Sequence, residues 1–229
     1  MPDTSAATTG TYWNTPQVAE HFHTLPPPPY LRDLLEAHPP ARPGAIGLDA
    51  GCGAGRNLGA LTAAGYRAVG IDLHPGMLYM ARRAFPDAAL YQASVLEIPL
   101  EQASCEIVVC HGVLHNLASA TEIQRALREL ARVATPGAKI SLNLFSNSHI
   151  DPCLTPAGPA DQFTLPNGQK MTLFSPAAIE RLIETAGLTL RGTATTYLSP
   201  GDPGQRSVWR AVLTHVRSTG TEEVTACSS

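Results

Sequence analysis

The chain has 229 residues, a net charge of −3 at pH 7 and an isoelectric point near 6.2. Hydrophobic residues make up 44% and charged residues 15%, which suits one large globular domain with a sizeable core. The acidic balance excludes a strongly basic surface for nucleic acid. No apolar run approaches the roughly 20 residues that cross a bilayer. We therefore expect a cytoplasmic monomer or homodimer without a nucleic-acid or membrane partner.

The five cysteines are odd in number, and no pair of them has the spacing of metal ligands. Cys105 and Cys110 flank a predicted strand, where small apolar thiols usually belong to the core. We therefore expect a reducing compartment, no disulfide framework and no metal site.

Residues 1–43 predict an N-terminal arm with lid helices. The segment 1–10 is rich in Ser, Thr and Ala and is expected to be disordered. Thr15 as N-cap and Pro16 as first helical residue predict a short helix, which the prolines at 26–29 end. A second helix is expected over 30–37, because its leucines fall on one face.

The next stretch organises the rest of the chain. An apolar strand ends at Asp49, and glycines follow at positions 51, 53 and 55 before a helix. A second strand ends at Asp72, and Pro75 begins another helix. The pattern predicts a β-α-β unit whose glycines admit a ligand to the backbone. The dinucleotide fingerprint Gly-x-Gly-x-x-Gly fails, since Arg56 stands at its last position.

The remaining elements predict an α/β fold with a doubly wound, mainly parallel seven-stranded sheet, helices on both faces and an antiparallel last strand. The domain spans residues 44–217, and 218–229 are expected to form a disordered tail. An insertion over 147–174 is expected to hold a hairpin with Asn167-Gly168 as its two-residue turn. Strands are expected at 88–93, 105–110, 138–145, 188–197 and 208–216, with helices that begin after Ser119 and Ser175.

Three stretches carry a family resemblance: the pattern Asp49-x-Gly51-x-Gly53-x-Gly55, the strand end at Asp72, and the turn at Pro136-Gly137. Together they resemble the class I methyltransferases that use S-adenosylmethionine (SAM). The run from Gly51 to Asn57, followed by Gly65-Tyr66, is similar to the tellurite-resistance type. The resemblance implies SAM as cofactor, S-adenosylhomocysteine as product and a small molecule as methyl acceptor.

The resemblance also implies roles for single residues. Asp49 and Gly51 lie near the amino acid moiety of SAM, and Asp72 binds the ribose hydroxyls. Ser94, which stands where the family has Asp, and Val95 flank the adenine. The full set implied for the cofactor is Asp49, Gly51, Cys52, Gly53, Gly55, Asn57, Asp72, Leu73, Met77, Ser94, Val95, Cys110 and His111.

The reaction implied is an in-line displacement on the methyl group, which needs positioning and, for a hydroxyl acceptor, a base. His115 and His111 are the candidate bases, because they leave the carboxyl end of a predicted strand; hydrogen bonding within the loop is their alternative role. Candidates for the substrate side are Tyr12, Trp13, His21, Asn143 and His149. Other functions left open are aminopropyl transfer and SAM binding without methyl transfer, as in a cyclase, an isomerase or a regulatory module.

Overall fold

The computed structural model describes residues 12–159, 161–201 and 203–215. The expected disordered segments 1–10 and 218–229 lie outside these residues. The helices are α1 (Pro16–Thr24), α2 (Pro29–Ala37), α3 (Leu58–Ala63), α4 (Pro75–Ala84), α5 (Ala120–Val133) and α6 (Pro176–Thr185), with a 3₁₀ turn at Leu114–Asn116. The strands are β1 (Ile46–Ala50), β2 (Arg67–Asp72), β3 (Ala89–Gln92), β4 (Cys105–His111), β5 (Ala134–Ser146), β6 (Thr155–Pro156), β7 (Gln162–Thr164), β8 (Lys170–Thr172), β9 (Leu188–Leu190), β10 (Thr195–Pro200) and β11 (Gln205–His215).

The large sheet has the strand order β10-β11-β5-β4-β1-β2-β3. Strands β1 to β5 run parallel to one another, and β11 is antiparallel to β5. This arrangement confirms the predicted doubly wound sheet with an antiparallel last strand. The strand order reverses between β1 and β4, and such a switch point opens a crevice at the carboxyl ends of the strands.

The predicted strand over 188–197 is wrong in one respect, because it forms two strands. β9 pairs with the end of β11, whereas β10 pairs with its first half. Gly192 lies between them with a φ of +76°, a left-handed conformation that interrupts a ladder. Both strands lie on the same edge of β11, so eight strands occupy seven positions.

Alternate residues of β4 pack into two cores on opposite faces of the sheet. Val108 and Cys110 belong to the core that α5 and α6 cover. Ile107 and Val109 belong to the core that α2, α3 and α4 cover. The prediction of helices on both faces is confirmed. By the same alternation, His111 at the end of β4 faces α2.

Helix α5 begins with the predicted capping box. The Ser119 hydroxyl accepts a hydrogen bond from the Glu122 backbone N–H at 3.2 Å. The Glu122 carboxylate in turn accepts one from the Ala118 backbone N–H at 2.8 Å. These bonds fix the point at which the chain leaves the loop after β4 and enters the helix.

The insertion over 147–174 forms a second sheet of β6, β7 and β8 around its own apolar cluster. The hairpin between β7 and β8 is confirmed, but the two-residue Asn-Gly turn is wrong. Leu165 O accepts a hydrogen bond from the Gly168 N–H, and Leu165 N–H bonds Gln169 O, which leaves a three-residue loop. Pro166 suits the second position of such a turn, and Gly168 supplies the positive φ that ends it.

Among the described residues, no helix combines the length and the apolar character that crossing a membrane would require.

Candidate functional site

The loop between β1 and α3 requires glycine for two separate reasons. Gly51 has a φ of +83°, and a Cβ there would lie 2.2 Å from Val113 Cγ2. Gly55 has a φ of +94°, and its Cβ would lie 2.7 Å from the Phe85 ring. The loop therefore turns tightly between the loop after β4 and the helix α4. A Cβ at Gly53, by contrast, would have only Met77 Sδ within 4 Å, at 3.9 Å, so the loop leaves space at that position.

Asp49 lies on β1 just before this loop, and its side chain is 0% exposed. One oxygen, Oδ1, accepts a hydrogen bond from Asn57 Nδ2 at 3.3 Å. Asp49 Oδ2 and Asn57 Oδ1 have no partner in the part of the chain described. Burial raises the pKa of Asp49 to about 7. Two buried acceptors beside a poorly solvated carboxylate favour a ligand that brings N–H donors and positive charge.

Asp72 ends the neighbouring strand β2 at the same edge of the sheet, since the register pairs Ala50 with Ile71. Its Oδ2 accepts the Gly53 N–H at 2.8 Å, and its Oδ1 accepts the His74 N–H at 2.9 Å. Burial raises the pKa of this carboxyl above its ordinary value. Each carboxylate oxygen accepts more than one hydrogen bond, so Asp72 can hold the glycine loop and still face a ligand.

The N-terminal helices are attached directly to the glycine loop. His23 Nδ1 lies 3.3 Å from Ala54 O, and Arg56 Nε donates to Pro26 O at 2.8 Å. Trp13 packs with Met77 in a small apolar cluster and stacks on the His74 ring. The predicted lid helices therefore lie against both the glycine loop and the start of α4.

His111 ends β4 and faces the helix α2. Its Nε2 lies 2.8 Å from Ser141 Oγ, and its ring lies 5.5 Å from the Tyr30 ring. Its Nδ1 is buried and has no partner among the residues described. Burial lowers the pKa of His111 to about 3, with Arg56 and Arg210 adding to the effect, so the ring is neutral at pH 7.

Asn143 connects three segments beside His111. Its Oδ1 accepts the Gly112 N–H at 2.7 Å, and its Nδ2 donates to the Tyr30 hydroxyl at 2.7 Å. The Arg210 guanidinium lies 4.2 Å from the centre of the Tyr30 ring. A helix and three strands thus meet in one polar cluster of His111, Asn143, Tyr30 and Arg210.

Comparison with known proteins agrees with this geometry. Residues 48–142 match the family model described as a methyltransferase domain. A protein of Encephalitozoon cuniculi named as a methyltransferase is 35% identical over 104 residues, which cover 45% of this chain and 47% of that protein. A demethylmenaquinone methyltransferase of Renibacterium salmoninarum is 30% identical over 115 residues, 50% of this chain and 47% of that protein.

Solved structures share the whole fold. A SAM-dependent methyltransferase from Methanosarcina mazei superposes with a TM-score of 0.69 at 16% identity, over 84% of this chain and 99% of that one. A 1,6-didemethyltoxoflavin-N1-methyltransferase from Burkholderia thailandensis, solved with S-adenosylhomocysteine, superposes with a TM-score of 0.61 at 18% identity, over 82% of this chain and 77% of that one. Residues 48–142 therefore resemble a methyltransferase domain, and the fold is the one that these solved methyltransferases share. The chain spans less than half the length of the two curated relatives described above.

His115, in the loop after β4, is buried against the Phe145 ring at a centroid distance of 3.9 Å. Its Nδ1 accepts the Phe145 backbone N–H at 3.2 Å, and burial lowers its pKa to about 3. The bond occupies the lone pair of Nδ1 and places the ring proton on Nε2. This geometry favours a structural role for His115 over that of a base.

The other residues predicted to bind the cofactor differ in their surroundings. Cys52, Met77, Val95 and Cys110 are buried, whereas Leu73 is 56% exposed beyond the end of β2. The Ser94 hydroxyl accepts the Leu96 N–H at 3.1 Å.

Among the substrate-side candidates, Tyr12 lies against Trp13, and His21 is exposed on α1. His149 is half-buried just after β5. The structure therefore brings Asn143 beside His111 but not His21.

Sequence reasoning missed Tyr30 and Arg210. The sequence places Tyr30 only in the second helix and Arg210 only in the closing strand. The register pairs Arg210 with Asn143 and Asn143 with His111, and the Tyr30 ring lies beside Arg210. The one signal in the sequence is a single charged residue, Arg210, within the apolar run 208–212.

Proposed function

We propose that this chain binds SAM at the glycine loop and transfers its methyl group to a nucleophile of a small molecule. The observation that carries the proposal is the pair of acidic residues at adjacent strand ends. Asp49 and Asp72 bracket the loop, and Asp49 Oδ2 is a buried acceptor that lacks a donor among the described residues.

The two acids suit SAM better than a dinucleotide. A pyrophosphate beside Asp49 would place like charges together in a poorly solvated site, whereas an ammonium and a sulfonium would offset the buried carboxylate. The Gly53 N–H, which would otherwise bind an anion, is already taken by Asp72. The residues present therefore fit a cofactor that is cationic at one end.

Each part of the site then has a role toward the cofactor. Asp49 and Asn57 would pair with the ammonium of SAM through their free acceptors. Asp72 would accept hydrogen bonds from the ribose hydroxyls with its remaining lone pairs. Val95, buried beside the end of β3, would pack on the adenine. The helix α1 and Trp13 would exclude water from the cofactor.

When bound, SAM supplies a methyl group already activated by the sulfonium, so the chain needs only to position the acceptor. We infer that His111 performs this positioning. Its Nδ1 is buried without a partner among the described residues, and the contact of Nε2 with Ser141 fixes the plane of the ring. Its low pKa keeps it neutral, so it can accept or donate a hydrogen bond, according to its tautomer.

We propose a small molecule as the methyl acceptor, because the net charge of −3 provides no electrostatic attraction for RNA. We also propose the cytoplasm as the location. A mouse relative named as a tRNA methyltransferase, 32% identical over 123 residues, makes RNA the competing acceptor. Binding of total tRNA that falls steeply with salt would favour RNA instead.

Calorimetry with S-adenosylhomocysteine tests the cofactor assignment, and release of S-adenosylhomocysteine from SAM in the presence of an acceptor tests the transfer. We expect one molecule of S-adenosylhomocysteine to bind per chain. Binding together with a transformed acceptor but no methyl transfer would indicate a SAM-dependent cyclase or isomerase. One solved structure with a similar fold, at a TM-score of 0.62 and 13% identity, is that of a [4+2]-cyclase. Absence of binding would refute the proposal.

A further inference from the structure

Three polar residues form a row across three adjacent strands. The register pairs His111 of β4 with Asn143 of β5, and Asn143 with Arg210 of β11. Directly paired residues point to the same face of a sheet, so all three side chains face helix α2. The row begins at His111, at the site proposed for methyl transfer, and leads away from it across β5 and β11.

Arg210 is held in this row by aromatic rings rather than by acids. Its guanidinium lies 4.2 Å from the centre of the Tyr30 ring and 5.8 Å from that of Tyr197. The ion pairs found in the described part of the chain involve Arg42 and Arg132, not Arg210. The Arg210 guanidinium therefore makes a cation–π contact with Tyr30, which uses none of its N–H groups as hydrogen-bond donors.

The charge around the row is one-sided. Arg56 and Arg210 add to the burial that lowers the pKa of His111, and both oppose the burial that raises the pKa of Tyr30. Asp49, on β1, accepts a hydrogen bond from Asn57. A half-buried guanidinium beside neutral polar groups gains most from an incoming anion that accepts from two of its N–H groups.

We propose that Arg210 binds a carboxylate of the methyl acceptor, so that the acceptor is a small carboxylic acid. The rings of Tyr30 and Tyr197 lie beside the guanidinium, and Asn143 donates a hydrogen bond that positions the Tyr30 hydroxyl. The acid group then anchors at Arg210 while the nucleophile lies toward His111. This inference rests on the proposed methyl transfer and adds the class of its substrate.

The experiment measures binding of acids and their matched neutral amides to the full chain saturated with S-adenosylhomocysteine. The probes are benzoate, 4-hydroxybenzoate, indole-3-acetate and succinate, each compared with its carboxamide by titration calorimetry. The proteins are the wild type, Arg210→Gln and Arg210→Lys. Arg83→Gln is the matched control, because Arg83 also lies over a tyrosine ring, at 5.8 Å, but is exposed on α4.

We expect at least one acid to bind the wild type about tenfold or more tightly than its amide, the scale of a charge-assisted bidentate contact. Arg210→Gln should remove this preference, Arg210→Lys should keep part of it, and Arg83→Gln should leave it unchanged. If Arg210→Gln fails to fold, the reduced preference of Arg210→Lys decides.

The proposal would be overturned if the wild type bound none of the four acids more tightly than the matching amide. It would also be overturned if such a preference survived both Arg210 substitutions. The affinity for S-adenosylhomocysteine, measured first, separates this failure from that of methyl transfer. If the wild type does not bind S-adenosylhomocysteine, the proposed function is refuted. If it binds S-adenosylhomocysteine but shows no preference for acids, only the role of Arg210 is refuted.

Discussion

Replacing Asp49 by Asn should stabilise the ligand-free protein while it weakens cofactor binding. Burial raises the pKa of Asp49 from its ordinary 3.8 to about 7. At pH 8 the carboxylate is ionised in both the folded and the unfolded chain, and a difference of about three pKa units costs the folded state about 4 kcal/mol. The new amide brings an unpartnered buried N–H₂ group that costs about 1–3 kcal/mol. The net expected gain is therefore about 1–3 kcal/mol.

The pH dependence gives the prediction its sign. Because the folded-state pKa is raised, the folded chain binds more protons than the unfolded chain between pH 4 and 7, so this group destabilises increasingly as pH rises. At pH 5 the penalty falls to about 2 kcal/mol, and the advantage of Asp49→Asn should shrink by about 2–3 kcal/mol from pH 8 to pH 5. The lowered pKa values of His111 and His115 affect both proteins equally and cancel in the difference.

Urea unfolding followed by circular dichroism at pH 5 and pH 8 measures these free energies. Asp87→Asn, an exposed carboxylate, serves as the control and should change little at either pH. A variant that is less stable than the wild type by the same amount at both pH values would refute the argument from the buried charge. Stabilisation with unchanged affinity for S-adenosylhomocysteine would refute the role of Asp49 toward the cofactor.

Three further predictions concern the same edge of the sheet. Asp72→Ala should weaken S-adenosylhomocysteine binding by more than about 1 kcal/mol, and an unchanged affinity by calorimetry would count against the ribose contact. Gly51→Ala should cost about 1–3 kcal/mol in urea unfolding, since its Cβ would meet Val113 at 2.2 Å in a left-handed backbone; a change below about 0.5 kcal/mol would contradict the crowding. His111 and His115 should remain neutral from pH 8 to pH 5 in nuclear magnetic resonance titrations, and protonation of either ring near pH 6 would show that their burial is overstated.

The sequence predicted the elements that depend on local rules. Ser119 caps α5, Pro75 begins α4, and the acids at 49 and 72 end neighbouring strands, because caps, prolines and strand periodicity act over a few residues. The glycine loop was predictable for the same reason. The spacing of its glycines determines the turn, and the turn determines where space is left beside the backbone.

The sequence did not predict contacts that arise from strand order. Arg210 reaches Tyr30 only because β11 inserts beside β5, far from α2 in the chain. The role of His115 also depends on a distant residue, since its partner is the backbone of Phe145. The three-residue loop at 166–168 shows that a local rule can mislead as well, because Pro166 competed with the Asn-Gly signal.

Calorimetric titration of the full chain with S-adenosylhomocysteine and, separately, with NAD⁺ tests the central claim that Asp49 and Asp72 select a SAM-type ligand. We predict that one S-adenosylhomocysteine binds per chain, that its affinity rises as pH increases through about 7 while Asp49 ionises, and that NAD⁺ binds far more weakly. Tight NAD⁺ binding without uptake of S-adenosylhomocysteine would contradict the assignment.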